Sequence, residues 1–232
     1  MSEHIYTIPI NDHFGKADGC ALCSLFNMLE RNEIERITGA AMMEPDVRIQ
    51  TNRFGFCERH FGKMLLVGKR LPVALILQSH FEIIRGELER KKPEGQGKYL
   101  QELENSCYVC GRIQEQMDSL YGNLFWLWSN DRAFQERFRA QPYFCFPHYR
   151  ELLFYGQKHL SKKDYRIFCA EVWSIETSYL ETLSGDIDWF CKKFDYRFAK
   201  EDWKNSKDAI ERAVYTLTGH MPEFRSEIST TI

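Results

Sequence analysis

The sequence predicts an all-α fold in which two pseudo-repeated helical Cys3His metal units pack around a long central helix. Three observations predict it. Apolar residues recur at helical spacing along most of the 232 residues. A Cys-x-x-Cys followed by a Phe-Cys-x-x-His occurs twice, as Cys20, Cys23, Cys57 and His60 and again as Cys107, Cys110, Cys145 and His148. Finally, Phe168, Val172, Ile175, Tyr179, Leu183, Phe190 and Phe194 share one face of a single helix from Ser161 to about Arg197. Cys169, Trp173, Leu180, Ile187 and Cys191 widen that face to roughly half the circumference, beyond the stripe of a surface helix.

Composition narrows the function classes. A charged fraction of 28% and a formal net charge of −2 leave no basic footprint for nucleic acid. The longest apolar run, Leu71 to Leu77, contains Pro72 and is too short to cross a bilayer. Met1-Ser2-Glu3-His4 has neither the basic start nor the apolar core of a signal peptide. A cytoplasmic protein is therefore expected, in which eight cysteines serve as metal ligands or core thiols rather than disulfides.

Ile5 to Ile10 reads as a short extended arm. A helix from about Gly19 carries Leu22, Leu25, Phe26, Leu29 and Ile37 on one face and ends at Gly39. Pro45 opens a short helix within Met42 to Asn52. Cys57, His60, Phe61, Met64 and Leu65 belong to a further helix stopped by Gly68. Pro72 opens another, with Leu77, Phe81, Ile84 and Leu88 inward. The charged, Pro- and Gly-containing run from Lys91 to Lys98 reads as a linker.

The pattern then restarts. Val109, Ile113, Met117, Leu120, Leu124 and Leu127 form a helical stripe, and a short segment follows from Asp131 to Arg139. Cys145, His148, Tyr149, Leu152 and Leu153 form the counterpart of the Cys57 helix, with Gly156 as its stop. Ser161 and Asp164 pair as a capping box for the long helix. A last helix, capped by Asn205 or Ser206, turns Ile210, Val214 and Leu217 inward and ends at Gly219. The expected organisation is an arm and first repeat (1–92), linker (93–98), second repeat (99–160), long and last helices (161–222) and a polar tail (223–232).

The two Cys-x-x-Cys pairs lie 87 residues apart (20 to 107) and the two Cys-x-x-His pairs 88 apart (57 to 145), the signature of a duplicated unit. Two thiolates and a further Cys-x-x-His suit tetrahedral zinc, two ions per chain, and iron meets the same ligand set. Helix N-termini favour thiolate at such positions. Closure within each repeat and exchange between repeats satisfy the same ligand chemistry. Four protein ligands leave no open position, which favours a structural metal. The competing redox reading of each Cys-x-x-Cys lacks the strand context of a thioredoxin-like fold.

No histidine follows a Glu at the Glu-x-x-His spacing, and neither a Gly-x-Ser-x-Gly nor a His-Glu-x-x-His is present, so no catalytic residue is expected. His13, just ahead of Cys20, reads as a solvated loop residue, with a fifth metal ligand or a group supporting the ligands as the alternative, and Cys169 and Cys191 read as core thiols about 33 Å apart along one helix. Lys193, Asp195, Arg197, Asp208 and Arg212 form a polar cluster, read as an ion-paired junction or as a small anion site.

Tyr6-Thr7-Ile8-Pro9, the doubled cysteine motif, Met42-Met43-Glu44-Pro45, Lys193-Phe194-Asp195-Tyr196-Arg197 and Lys207-Asp208-Ala209 together resemble an uncharacterised family of bacterial proteins of about this length, found mainly in anaerobic Gram-positive bacteria. The resemblance covers nearly the whole chain and implies no activity. Members are sometimes labelled transporter substrate-binding proteins, but this sequence lacks the signal peptide, lipobox cysteine and α/β pattern of that class. The expected function is a cytosolic zinc-stabilised binding or scaffold module. The alternative is a thiol-based redox or metal-stress sensor or enzyme using the Cys-x-x-Cys pairs. Neither nucleic acid nor membrane is an expected partner, and a homo-oligomer is compatible with the sequence.

Overall fold

The computed structural model describes residues 3–219. The expected tail 223–232 lies outside them. The described residues form eleven α-helices and one 3-10 turn, with no strand among them. In order these are α1 (Glu3–Phe14), α2 (Ala21–Ile37), the turn Ala40–Met43, α3 (Pro45–Phe54), α4 (Glu58–Leu66), α5 (Arg70–Arg90), α6 (Pro93–Glu104), α7 (Tyr108–Asn130), α8 (Arg132–Arg139), α9 (Phe146–His159), α10 (Lys162–Lys192) and α11 (Ala209–Thr218). Among the described residues no helix is long and apolar enough to cross a membrane.

The duplication is visible in where the helices begin. α2 and α7 start 87 residues apart (21 to 108), α3 and α8 likewise (45 to 132), and α4 and α9 start 88 apart (58 to 146). α1 and α6, then α5 and α10, complete two runs of five helices in the same order. The chain divides into two compact units, residues 1–25 with 120–232 and residues 26–119, so the division falls inside α2 and inside α7.

The first unit is built on aromatic rings. Phe14 stacks on Phe138 at 5.8 Å and tilts against Phe134 and Phe144, while Phe168 of α10 meets Phe125, Phe138 and Trp128. Each large ring buried there stabilises by about 2–3 kcal/mol relative to exposure. Buried Ile10 and Phe14 also explain why residues 5–10 are helical rather than an extended arm. Pro9 removes one backbone donor from α1, and burial of the α1 face against α8 compensates. Gln141 donates its side-chain amide to the Phe14 carbonyl at 2.7 Å, closing the end of that helix.

α10 packs on α8, α9 and α11. Its Ser161 cap accepts from the Asp164 backbone N–H, as the sequence predicts, but the helix ends at Lys192 rather than near Arg197. Its buried face is narrower than expected. Phe168, Val172, Glu176 and Leu183 are buried, whereas Trp173 is 55% exposed and Cys191 is exposed. Cys169 is half-buried, so only one of the two extra cysteines approaches a core position. Gly156 does not stop α9. It lies inside that helix, where an added Cβ would come within 3.3 Å of Phe168 and Tyr165, so its role is close approach of α10. Gly68, by contrast, has φ +78° and does end α4.

The second unit pairs α3 with α5. α5 turns Val73, Ile76 and His80 inward and leaves Phe81 64% exposed, rotating the expected face. The expected linker 93–98 is the start of α6. Pro93 sits at its first turn, where a missing N–H costs nothing, so Gly95 and Gly97 are carried inside a helix. α11 in the first unit is also rotated: Ala209 and Thr216 are buried, Ile210 and Leu217 exposed, and Asp208 rather than Asn205 or Ser206 precedes it.

Candidate metal centres

All eight predicted ligands fall into two clusters, and each cluster draws one pair from each repeat. Cys20, Cys23, Cys145 and His148 form one set in the first unit, and Cys57, His60, Cys107 and Cys110 form the other in the second. The repeats therefore exchange ligands rather than closing separately, which corrects the picture of one self-contained Cys3His unit per repeat. The sequence left both arrangements open because they use identical ligand types. In both sets the Cys-x-x-Cys opens one helix and the Cys-x-x-His another, with Cys57 and Cys145 in the N-cap positions of α4 and α9. Unpaired amides at helix starts stabilise thiolate charge.

The geometry fits a tetrahedral metal. An ideal tetrahedron with metal–sulfur bonds of about 2.3 Å and metal–nitrogen bonds of about 2.0 Å has sulfur–sulfur edges of roughly 3.8 Å and nitrogen–sulfur edges of roughly 3.5 Å. In the first set Cys23 Sγ lies 3.3 Å from Cys145 Sγ, and His148 Nδ1 lies 3.1, 3.2 and 3.7 Å from the sulfurs of Cys145, Cys23 and Cys20. In the second, His60 Nδ1 lies 3.2 Å from Cys57 and Cys107 and 3.4 Å from Cys110, and the Cys57–Cys110 sulfur distance is 3.9 Å. In both sets Nδ1 faces the thiols. Burial lowers each imidazole's proton affinity, yet the neighbouring thiols outweigh it and raise His148 to about 10 and, with Glu30, His60 to about 9. A divalent ion would replace those protons, and binding would release them.

Several residues that the motif did not reveal support the ligands. His60 Nε2 donates to the buried Glu30 carboxylate at 3.1 Å, and Glu30 also receives Arg59 at 2.9 Å and Lys63. Burial alone would raise the Glu30 carboxyl, but His60, Lys63 and Arg59 hold it at about 2. The sequence carried a signal here: Glu30 and Glu33 stand on the apolar stripe of α2, four residues beyond Phe26 and Leu29. Tyr108 donates its backbone N–H to the Gly55 carbonyl at 2.9 Å, tying the start of α7 to the segment that delivers Cys57.

In the first unit, Glu176 of α10 is buried and accepts from the Phe144 backbone N–H at 2.6 Å, fixing the residue before Cys145. Gly219, at φ +75°, ends α11 beside the set, with its carbonyl 3.4 Å from Cys23 Sγ. His13 hydrogen-bonds Ser24, next to Cys23, at 2.6 Å.

The Lys193 to Arg212 cluster is spent on its own structure. Lys193 is buried and donates to the carbonyls of Phe198 at 2.8 Å, Ala199 at 3.0 Å and Glu201. Arg197 pairs with Asp195, and Arg212 joins Asp186 at 2.8 Å and Asp208 at 3.0 Å, linking α11 to α10.

A groove of about 500 Å³ in the second unit reaches Cys107 and is lined by Arg36, Asp46, Phe54, Tyr108 and Arg112 among others. Arg36 is held by Glu33 at 2.7 Å and by the Tyr108 hydroxyl at 2.5 Å, while Arg112 Nε is buried without a hydrogen-bond partner.

A family model described as a family of unknown function (DUF6062) matches residues 1–224. The chain belongs to that family. No curated protein and no solved structure matches it. The family carries no activity with it, so the doubled ligand set and its surroundings remain the basis for a functional reading.

Proposed function

We propose that the protein is a cytosolic binding or scaffold module whose two Cys3His sets each hold a structural zinc ion. One observation carries this reading: both sets present four protein ligands to one point from two helix starts. Such a site closes the metal off from substrate and turns metal affinity into folding free energy. The binding surface we assign is the groove beside Cys107, where both charge signs stand beside aromatic faces and the Arg112–Glu115 ion pair at 2.7 Å forms part of the wall. That lining suits a small polar ligand carrying an acceptor.

Elemental analysis of protein purified without added metal tests the first half, with two zinc ions per chain expected. A folded, monodisperse sample near zero overturns it. Thermal-shift screening against small polar metabolites tests the second half, with the shift expected to vanish in Arg112→Ala. No stabilising compound in a broad panel, or shifts indifferent to Arg112, would remove the groove from the proposal. A second reading, a thiol-based sensor, is favoured by the exposure of Cys110.

A further inference from the structure

The two metal sets have the same ligands and unequal surroundings. Cys20, Cys23, Cys145 and His148 are all buried. In the other set only His60 is buried: Cys57 and Cys107 are half-buried and Cys110 is exposed. Nothing lies within 4 Å of a Cβ placed on Gly111, so the space beside Cys110 is open, and the groove gives a second approach to Cys107. Cys110 and Cys107 stand one helical turn apart at the start of α7, with the Cys110 backbone N–H 3.5 Å from Cys107 Sγ. A zinc ion bound there would be redox-inert, so oxidation would fall on the sulfurs.

We propose that Cys107 and Cys110 form a modification site at which a hydroperoxide makes a disulfide and thereby releases the metal of the second set, while the first set keeps its own. The proposal rests on the zinc reading above and says which set responds. The Cys110 thiolate attacks the peroxide oxygen, the O–O bond breaks, and the departing alkoxide or hydroxide takes a proton. The Cys107 thiolate then attacks the sulfenic sulfur, the S–O bond breaks, and hydroxide leaves as water after taking a second proton. Two thiolates, one hydroperoxide and two protons thus become one disulfide, one alcohol or water, and one further water. Cys57 and His60 remain, and two ligands do not close a tetrahedral site.

The test uses the full chain in two steps. Metal content is measured first. Hydrogen peroxide is then added beside a chromogenic zinc chelator, and disulfides are mapped by peptide mass spectrometry. The expected result is two metal equivalents before oxidant, one released after it, a Cys107–Cys110 bond, and recovery with dithiothreitol and zinc. A bond confined to Cys20, Cys23 or Cys145, release of both equivalents together, release to the chelator without peroxide, or no release would each overturn the proposal. Cys110→His preserves four ligands and removes the bond, so this variant should hold two metals and release none with peroxide. Release from it at the wild-type rate also overturns the proposal. A chain that carries no metal yet forms the Cys107–Cys110 bond would sink the zinc reading and leave the thiol assignment standing.

Discussion

His60 donates its Nε2 proton to Glu30 at 3.1 Å, and the residue 87 positions beyond Glu30 is Met117. The repeat that duplicates the metal ligands did not duplicate this carboxylate. A carboxylate behind a metal-bound imidazole fixes its tautomer and raises its basicity. Replacing Glu30 with Gln should therefore weaken metal binding at the Cys57 set by about 10–100-fold and leave the Cys20 set unchanged. Competition with a chromogenic chelator reads both sites, and an equal effect on the two would refute the assignment.

The exchange of ligands between repeats has a combinatorial test. Cys20→Ser with His148→Ala damages one set twice, so that variant should retain one metal. Cys20→Ser with His60→Ala damages both sets and should retain none. If the first pair empties both sites and the second spares one, ligands close within each repeat and the exchange is wrong.

Gly219 sits where a side chain has no room. An Ala there would hold a left-handed conformation and bring its Cβ to 3.2 Å from Cys145 Sγ. Gly219→Ala should cost about 1–2 kcal/mol in chemical denaturation and weaken metal retention in the Cys20 set. Unchanged stability together with unchanged metal retention would show that α11 does not seal that site.

Glu176 gives the first unit a pH dependence. Burial raises its carboxyl from 4.5 to about 7, the Phe144 amide works against that, and the Cys20 charge adds to it. Because the folded value is the higher one, the stability it contributes is present below about pH 4.5. It is lost as pH rises through about 7, where a buried charge must form. Glu176→Gln keeps an acceptor for the Phe144 N–H without that charge. The variant should match wild type near pH 5 and exceed it above pH 7 by on the order of 2 kcal/mol. Parallel denaturation curves at both pH values check it, and a gain that is largest at pH 5 reverses the sign.

Helix order and the choice of candidate ligands were legible because both are local. The α7 stripe from Val109 to Leu127 is buried throughout, and the eight residues the motif names gather into the two clusters that could hold a metal. What escaped depends on tertiary neighbours. Pro9 and the glycines of 93–98 argue locally against helix, yet burial of Phe14 and a proline placed at a helix start override them. Gly156 looked like Gly68 because residue type alone does not separate a helix stop from a close approach. Trp173 and Leu217 show the converse: an apolar residue at a position that the periodicity assigns to the core can still meet water, because spacing along one helix does not say how far its neighbours reach. The choice between exchanged and unexchanged ligands left no trace in composition or spacing at all.

That exchange has a consequence for how the chain is made. The Cys57–Cys110 loop is nested inside the Cys20–His148 loop, so the inner set can close on a ribosome-bound chain long before the outer one. Cys20 and Cys23 emerge first and Cys57 and His60 next, and at about 5–20 residues per second the 88 residues from His60 to His148 take roughly 4–18 s to translate. Throughout that interval Cys20 and Cys23 have only the wrong Cys-x-x-His for company. Premature capture of a metal ion by the four candidate ligands of one repeat is thus a built-in wrong turn, and slow elongation between codons 61 and 107 should raise the misassembled fraction in nascent-chain proteolysis.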